Sequence, residues 1–254
     1  MRVAAAVLAL WSCLAAAPGA AAGPNVLRVG VFDHRPHMVV DGGRISGTDV
    51  ELTRRVLEAA GYRFEFRVRP PARLFHEIRS GELDVLPGPG ITPEREEILY
   101  FTSPIHPKVA RVFVRRADRE RLGLSRPQDL LRVPGRVGFV RGFTYGEQLN
   151  RLRRQLQAAG RAEDEPGTAA NLRKLLAGRL LAFAAMDGPA TYEIERAGAQ
   201  GEVVSLGDGE FMGWAHIALS RITLSRTDLE RIEAALERLR RDGAIPLFHV
   251  SAEP

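Results

Sequence analysis

Helical periodicity in this chain is cut off again and again by a glycine, at Gly61, Gly81, Gly160, Gly178 and Gly243, and a short run of strand-forming residues precedes most of these segments. Glycine just past the last periodic residue is where a left-handed helix end belongs. The run Leu27-Arg28-Val29-Gly30-Val31 predicts a strand, and a loop over 33–43 follows it. Asp49 is the expected cap of the next helix, whose apolar face is Leu52, Val56 and Ala59 or Ala60. Residues 62–68 alternate as a second strand. Pro70 and Pro71 open a helix through Ile78, and 83–86 form a short buried strand running into Pro87-Gly88-Pro89-Gly90. Thr92, Pro93 and the acids Glu94 and Glu96 start another helix.

The alternation resumes with strands expected at 109–114, 136–140 and 180–185, and helices at 148–159, 172–177 and 228–241. The last helix carries Leu229, Ile232, Leu236 and Leu239 on one face. Strands alternating with helices throughout imply an α/β fold with largely parallel sheets.

The first residues predict an exported protein. After Arg2 the stretch from Val3 to Ala17 is apolar or small, and Ala20-Ala21-Ala22 suits cleavage after Ala22, so residues 1–22 form a signal peptide. The apolar run is shorter than the ~20 residues of a membrane span, an uncleaved anchor being the alternative. Lipidation at Cys13, the sole cysteine, is disfavoured because the apolar run continues past it, so the mature chain has no disulfide and relies on its core. The net charge of +5 is spread along the chain, almost all of it from arginine, with no basic block interleaved with aromatics. That argues against nucleic-acid binding. No defensible Ser-His-Asp set, phosphate loop or dinucleotide fingerprint is present, so no catalytic residue and no cofactor is expected. His34 and His37 form a metal-like pair, but their sequence neighbours offer no further ligand, so no metal is expected.

The order of these motifs resembles the family 3 extracellular solute-binding proteins. The resemblance rests on Leu27–Val31 with Gly47-Thr48-Asp49-Val50-Glu51-Leu52, on Gly81-Glu82-Leu83-Asp84-Val85 with Ile91-Thr92-Pro93-Glu94-Arg95, on Gly135-Arg136-Val137-Gly138-Phe139 with Gly142-Phe143-Thr144, and on Ala177-Gly178-Arg179 leading to Met186-Asp187. It implies the type II periplasmic-binding fold: lobe I from 25–114 plus 216–254, lobe II from 115–215, and hinge crossings near 112–116 and 211–217. It also implies a monomer in the periplasm that closes on a small-molecule ligand and delivers it to the permease of an ABC importer. A dehydratase of the cyclohexadienyl type on the same scaffold, or a soluble sensor, are the alternatives.

The resemblance implies that Arg95 holds a ligand carboxylate. Its planar fork gives two parallel donors at a helix start where unpaired amides favour an anion. The alternative is a solvated arginine paired with a neighbouring Glu. Gly88 and Gly90 stand where amino-acid receptors carry hydroxyl residues, and backbone amides are the candidate substitutes. Thr144 is a candidate grip from lobe II or a helix cap, and Asp187 a partner for a ligand ammonium or a helix start. Arg73 would bring a second cation and a more acidic ligand if it faced the cleft, and otherwise sits exposed in a first turn. His34 falls where the family often carries a stacking aromatic, a surface that Phe143, Tyr145 or Trp214 could supply instead, core packing being their alternative.

Overall fold

The computed structural model describes residues 26–245, so the expected signal peptide and Cys13 lie outside the described residues. In chain order the first elements are β1 (Leu27–Val31), the hairpin strands β2 (Val39–Asp41) and β3 (Arg44–Ser46), α1 (Thr48–Ala59), β4 (Phe64–Val68), α2 (Pro71–Ser80), β5 (Val85–Pro87), α3 (Pro93–Glu96) and β6 (Leu99–Phe101). Then come β7 (His106–Arg115), α4 (Arg116–Leu122), β8 (Val137–Val140), α5 (Glu147–Ala158), β9 (Ala162–Glu165), α6 (Thr168–Leu176), β10 (Ala182–Met186), α7 (Asp187–Arg196), β11 (Val203–Ala215), β12 (Ile217–Ser220) and α8 (Arg226–Arg241). A short 3-10 turn lies at Pro127–Leu131.

The strands form two five-stranded sheets, one per lobe, in the orders β4-β1-β5-β12-β6 and β11-β7-β10-β8-β9. Each is mixed. In lobe I, β1 runs parallel to β4 and β5, while β12 is antiparallel to both β5 and β6. In lobe II, β8 is parallel to β9 and β10, and β7 is antiparallel to β10 and β11. The antiparallel strands are those next to the two places where the chain changes sheet.

Strand pairing moves the first crossing. All of β7 belongs to the lobe II sheet, so the chain leaves lobe I at 102–105, earlier than the expected 112–116, and returns at His216 between β11 and β12. The run Val109–Val114 is the buried middle of one long strand whose first residues, His106-Pro107-Lys108, carry too few apolar side chains to read as strand.

Helices cover both faces of the lobe I sheet. On one side α1 and α8 bring Val56, Leu57, Ile232 and Leu236 against Leu27, Val29, Ile217 and Leu219. On the other, α2 packs Leu74 and Ile78 on Leu83, Leu86 and Ala218. Each such side chain contributes roughly 1.5–3 kcal/mol by leaving water. Asp84 is buried in this lobe and takes two guanidinium hydrogen bonds and the backbone N–H of Arg28, at 2.7–2.8 Å.

Two caps differ from the sequence reading. Gly47, with φ 120°, is the cap of α1, and Asp49 is the second residue of the helix, buried, with its carboxylate turned to other partners. Helix α8 begins two residues before the expected Asp228, because Ser225 is the cap and Asp228 the third residue of a reciprocal capping box. None of the described helices is long and apolar enough to cross a membrane.

Candidate functional site

The carboxyl ends of β1, β5, β8 and β10 and the first residues of β7 face a cleft of about 1320 Å³ between the lobes. Open α/β sheets place ligand sites at this edge, where strands end and helices begin with unpaired amides. Lobe I contributes the loop 32–38, the start of α1, the Gly88 loop and Arg95, and the crossing into lobe II adds His106, Pro107 and Lys108 at the start of β7. Lobe II contributes Phe143, Met186, Asp187, Gly188 and Tyr192.

Arg95 sits where the strand-glycine-helix pattern predicted. The Thr92 hydroxyl caps α3 by accepting the Arg95 N–H at 3.4 Å, and Pro93 fills the first helical position. The guanidinium lies 4.5 Å from the centre of the Phe75 ring, and its Nη1 donates to the Gly90 carbonyl at 2.8 Å. Among the described residues no carboxylate forms an ion pair with it, although Glu94 is adjacent in sequence. Burial lowers its pKa, with Glu94 only partly opposing.

Lys108 is a second cation in the cleft, and the sequence reading passed over it. It reaches the same loop: a Cβ placed on Gly90 would stand 3.5 Å from its Nζ. Its pKa is lowered first by burial and then by repulsion from Arg95. It is one of the two lysines in the chain, and that rarity was the available signal.

Asp49 faces the cleft from α1 and is 3% exposed. Its Oδ1 lies 3.3 Å from His37 Nδ1 and its Oδ2 3.2 Å from His106 Nε2. The two imidazoles stack, 4.6 Å apart and 4° from parallel. Burial would raise the Asp49 carboxyl, but the hydrogen bonds from His106 and His37 outweigh it and hold the value well below the carboxylate range. Burial pulls His106 down, and its bond to Asp49 more than restores it, leaving its pKa raised. The three donor atoms lie within 4.8 Å of one another, near enough to share one cation. The set is self-satisfied as a hydrogen-bonded triad, with the Lys108 charge close by. Judging the histidine pair by its sequence neighbours missed Asp49 and His106, which arrive from α1 and β7.

His34 lines the cleft, stacked between Phe32 and His37, and burial followed by His37 pushes its pKa down to about 4. Gly88 also lines it, but its N–H already donates to the His216 carbonyl at 2.8 Å, so it is no free amide for a ligand. Gly88 has φ +80°, and a Cβ there would stand 2.6 Å from Asp49 Oδ2. Gly90 acts through its carbonyl on Arg95. Phe143 lines the lobe II wall, 38% exposed.

Three candidates are placed otherwise. Thr144 is exposed and outside the cleft lining, and the cap of α5 is Gly146, so the hydroxyl fills neither expected place. Arg73 is exposed on the outer surface of α2, bonded to Glu77. Asp187 lines the cleft as the first residue of α7, with Met186 as the cap, and its Oδ1 pairs with Arg111 Nε at 3.0 Å. Tyr145 is fully buried, its hydroxyl donating to the Ala184 carbonyl, and Trp214 packs against Phe211.

The lobes already touch across this cleft. Arg35 Nη1 lies 3.4 Å from the Tyr192 hydroxyl, and a Cβ on Gly188 would stand 2.8 Å from His37 Nε2.

Over residues 27–247 the chain matches the pattern of the bacterial extracellular solute-binding proteins, family 3. It belongs to that family. Among curated relatives, a probable histidine-binding protein of Neisseria gonorrhoeae is 28% identical over 140 residues, which is 54% of this chain and 50% of the relative. The match thus spans about half the length of that relative. Among solved structures, an ancestral cationic amino acid solute-binding protein superposes with a TM-score of 0.70 at 21% identity, covering 87% of this chain and 92% of the other. A histidine kinase sensor domain similar to periplasmic binding proteins gives 0.61 at 24% identity, covering 86% and 92%. These likenesses establish the fold of the family 3 protein as the two-lobed one.

Proposed function

We propose that this family 3 protein captures a small, polar, carboxylate-bearing solute, an amino acid or a related acid, in the cleft between its lobes. It binds without turnover, works in the periplasm after removal of residues 1–22, and hands the solute to the permease of an ATP-driven importer. The observation that carries the reading is Arg95: a half-buried guanidinium on the cleft wall, aimed by the Gly90 carbonyl and the Phe75 ring, with no paired carboxylate among the described residues. A buried cation without an acid gains most from a ligand that brings one.

Closure follows from the same layout. Arg95 stands on lobe I and Gly188 and Tyr192 on lobe II, joined by crossings at 102–105 and His216, so a solute docked on Arg95 is covered when α7 approaches. The test is a thermal-shift screen of amino acids, dicarboxylates and polyamines, followed by calorimetry of the best compound on Arg95→Ala. The reading expects a loss of about 2–5 kcal/mol in binding. Unchanged affinity removes Arg95 as the anchor.

The likeness to a histidine kinase sensor domain supports a second reading, in which the closed form is read by a membrane receptor instead of a permease. Capture of the ligand-bound protein by reconstituted permease, with stimulated ATP hydrolysis, separates the two.

A further inference from the structure

The charged groups lining the cleft fall into two classes. Among the described residues, every carboxylate there is already engaged within the protein: Asp49 by His37 and His106, Glu51 by Arg55 at 3.1 Å, and Asp187 by Arg111 at 3.0 Å. Of the cations, Arg55 has Glu51, while Arg95 and Lys108 have no ion-pair partner among the described residues.

Those two cations converge on one residue. Arg95 donates to the Gly90 carbonyl at 2.8 Å, and Lys108 Nζ stands 3.5 Å from the place a Gly90 Cβ would take. Two positive charges held together in a partly dehydrated cleft repel each other, and a single-charged carboxylate relieves only one of them. An ammonium group on the ligand would add a third positive charge where no carboxylate among the described residues is free to receive it.

We infer that this cleft selects a small dicarboxylate, one carboxylate on the fork of Arg95 and the other on Lys108, and that it requires no ammonium group on its ligand. The inference rests on the solute-binding reading above and narrows it. It sets this chain apart from the cationic and histidine ligands named for the proteins it resembles. Arg95 supplies the bidentate fork and Lys108 a point charge on a flexible stem, so the first fixes one carboxylate and the second adapts to the length of the chain between them.

Four probes of one five-carbon skeleton test it: glutarate, glutamate, glutamine and ornithine, titrated calorimetrically into the ligand-free protein. Glutarate is expected to bind roughly tenfold or more tightly than glutamine, with ornithine the weakest. Lys108→Met should erase the glutarate advantage over glutamine, while Lys108→Arg retains it. Circular dichroism confirms that each variant is folded before titration. Glutamine or ornithine binding as tightly as glutarate overturns the inference and leaves the solute-binding reading standing. Glutarate affinity unchanged in Lys108→Met overturns the assignment of the second carboxylate. Silence of all four removes the inference too, and the wider thermal-shift screen then decides whether the solute-binding reading goes with it.

Discussion

The Nε2 of His106 lies 3.2 Å from Oδ2 of Asp49, and this contact ties the first turn of α1 in lobe I to the first residue of the strand that enters lobe II. The carboxylate is buried and its histidine partner largely so, which makes the contact a fixed point at the root of the first crossing.

Asp49→Asn should therefore cost about 2–4 kcal/mol in urea denaturation, because a buried charged acceptor of two imidazoles is replaced by a weaker one. The loss depends on pH. The raised His106 pKa contributes stability that is fully present below the ordinary histidine value of 6.5 and is lost as pH rises through the folded value. The depressed Asp49 carboxyl contributes stability present above its ordinary 3.8 and lost as pH falls. Native protein should lose stability as pH rises above the ordinary histidine value of 6.5 and through the raised His106 value. A slope unchanged in Asp49→Asn removes the link.

Arg95→Lys separates charge from shape. It keeps the positive charge but not the two parallel donors, so affinity for the solute should fall roughly tenfold, against the larger loss in Arg95→Ala. Ligand-free stability should stay within about 1 kcal/mol in both, since the side chain has one hydrogen bond and one ring contact. Equal affinity in Arg95→Lys and native protein by calorimetry contradicts bidentate anchoring.

Gly88→Ala should destabilise by about 2–3 kcal/mol. Part is the left-handed φ of +80°, and part is the 2.6 Å approach of the new Cβ to Asp49 Oδ2, which its histidines hold in place. Gly90→Ala is the control. Its new Cβ meets only the Lys108 tip and the Trp214 carbonyl at 3.5 Å, and its unfolding midpoint should move less than half as far.

Enlarging Gly188 should prop the lobes apart. In Gly188→Leu the side chain points at His37 Nε2, so solute affinity should drop roughly tenfold while the ligand-free unfolding midpoint stays put. Small-angle scattering should show ligand-induced compaction in native protein and little in the variant. Full compaction in Gly188→Leu removes this contact from closure.

Acidification should weaken the fold through His34. Its folded pKa of about 4 lies below the ordinary 6.5, so the unfolded chain takes up the proton first and stability falls as pH drops from 6.5 to about 4. The full effect is on the order of 3 kcal/mol. His34→Phe keeps the stack on Phe32 and should flatten that limb. Urea midpoints at about pH 7 and pH 5 measure it, and equal slopes in the two proteins refute it.

The lobe I face that carries Arg95 was legible in the sequence because local chemistry sets it. Thr92-Pro93 starts α3 wherever it is placed, and the breakers from Pro87 to Gly90 end β5. Long β11 was not legible, since Gly207, Gly209 and Gly213 interrupt its alternation where the register with β7 shifts. Lys108 and His106 escaped notice for a related reason. They stand in the polar first residues of β7, which become strand by pairing with β11, Ala215 opposite His106. Arg73 had a suitable position in the sequence, but α2 turns its Leu74 and Ile78 side inward and leaves Arg73 to Glu77.

The order of strands in the two sheets has a consequence for a chain made from one end. The lobe II sheet is assembled entirely from consecutive sequence, β7 to β11, whereas the lobe I sheet has a gap between β5 and β6 that only β12 fills. Helix α8, which supplies Ile232 and Leu236 to the lobe I core, emerges later still. A nascent or translocating chain thus holds β1, β4 and β5 without their lid and without their central seam until the other lobe has been delivered. The half that carries Arg95 is the last to become complete, so no truncated product that stops before Ile217 presents a finished cleft.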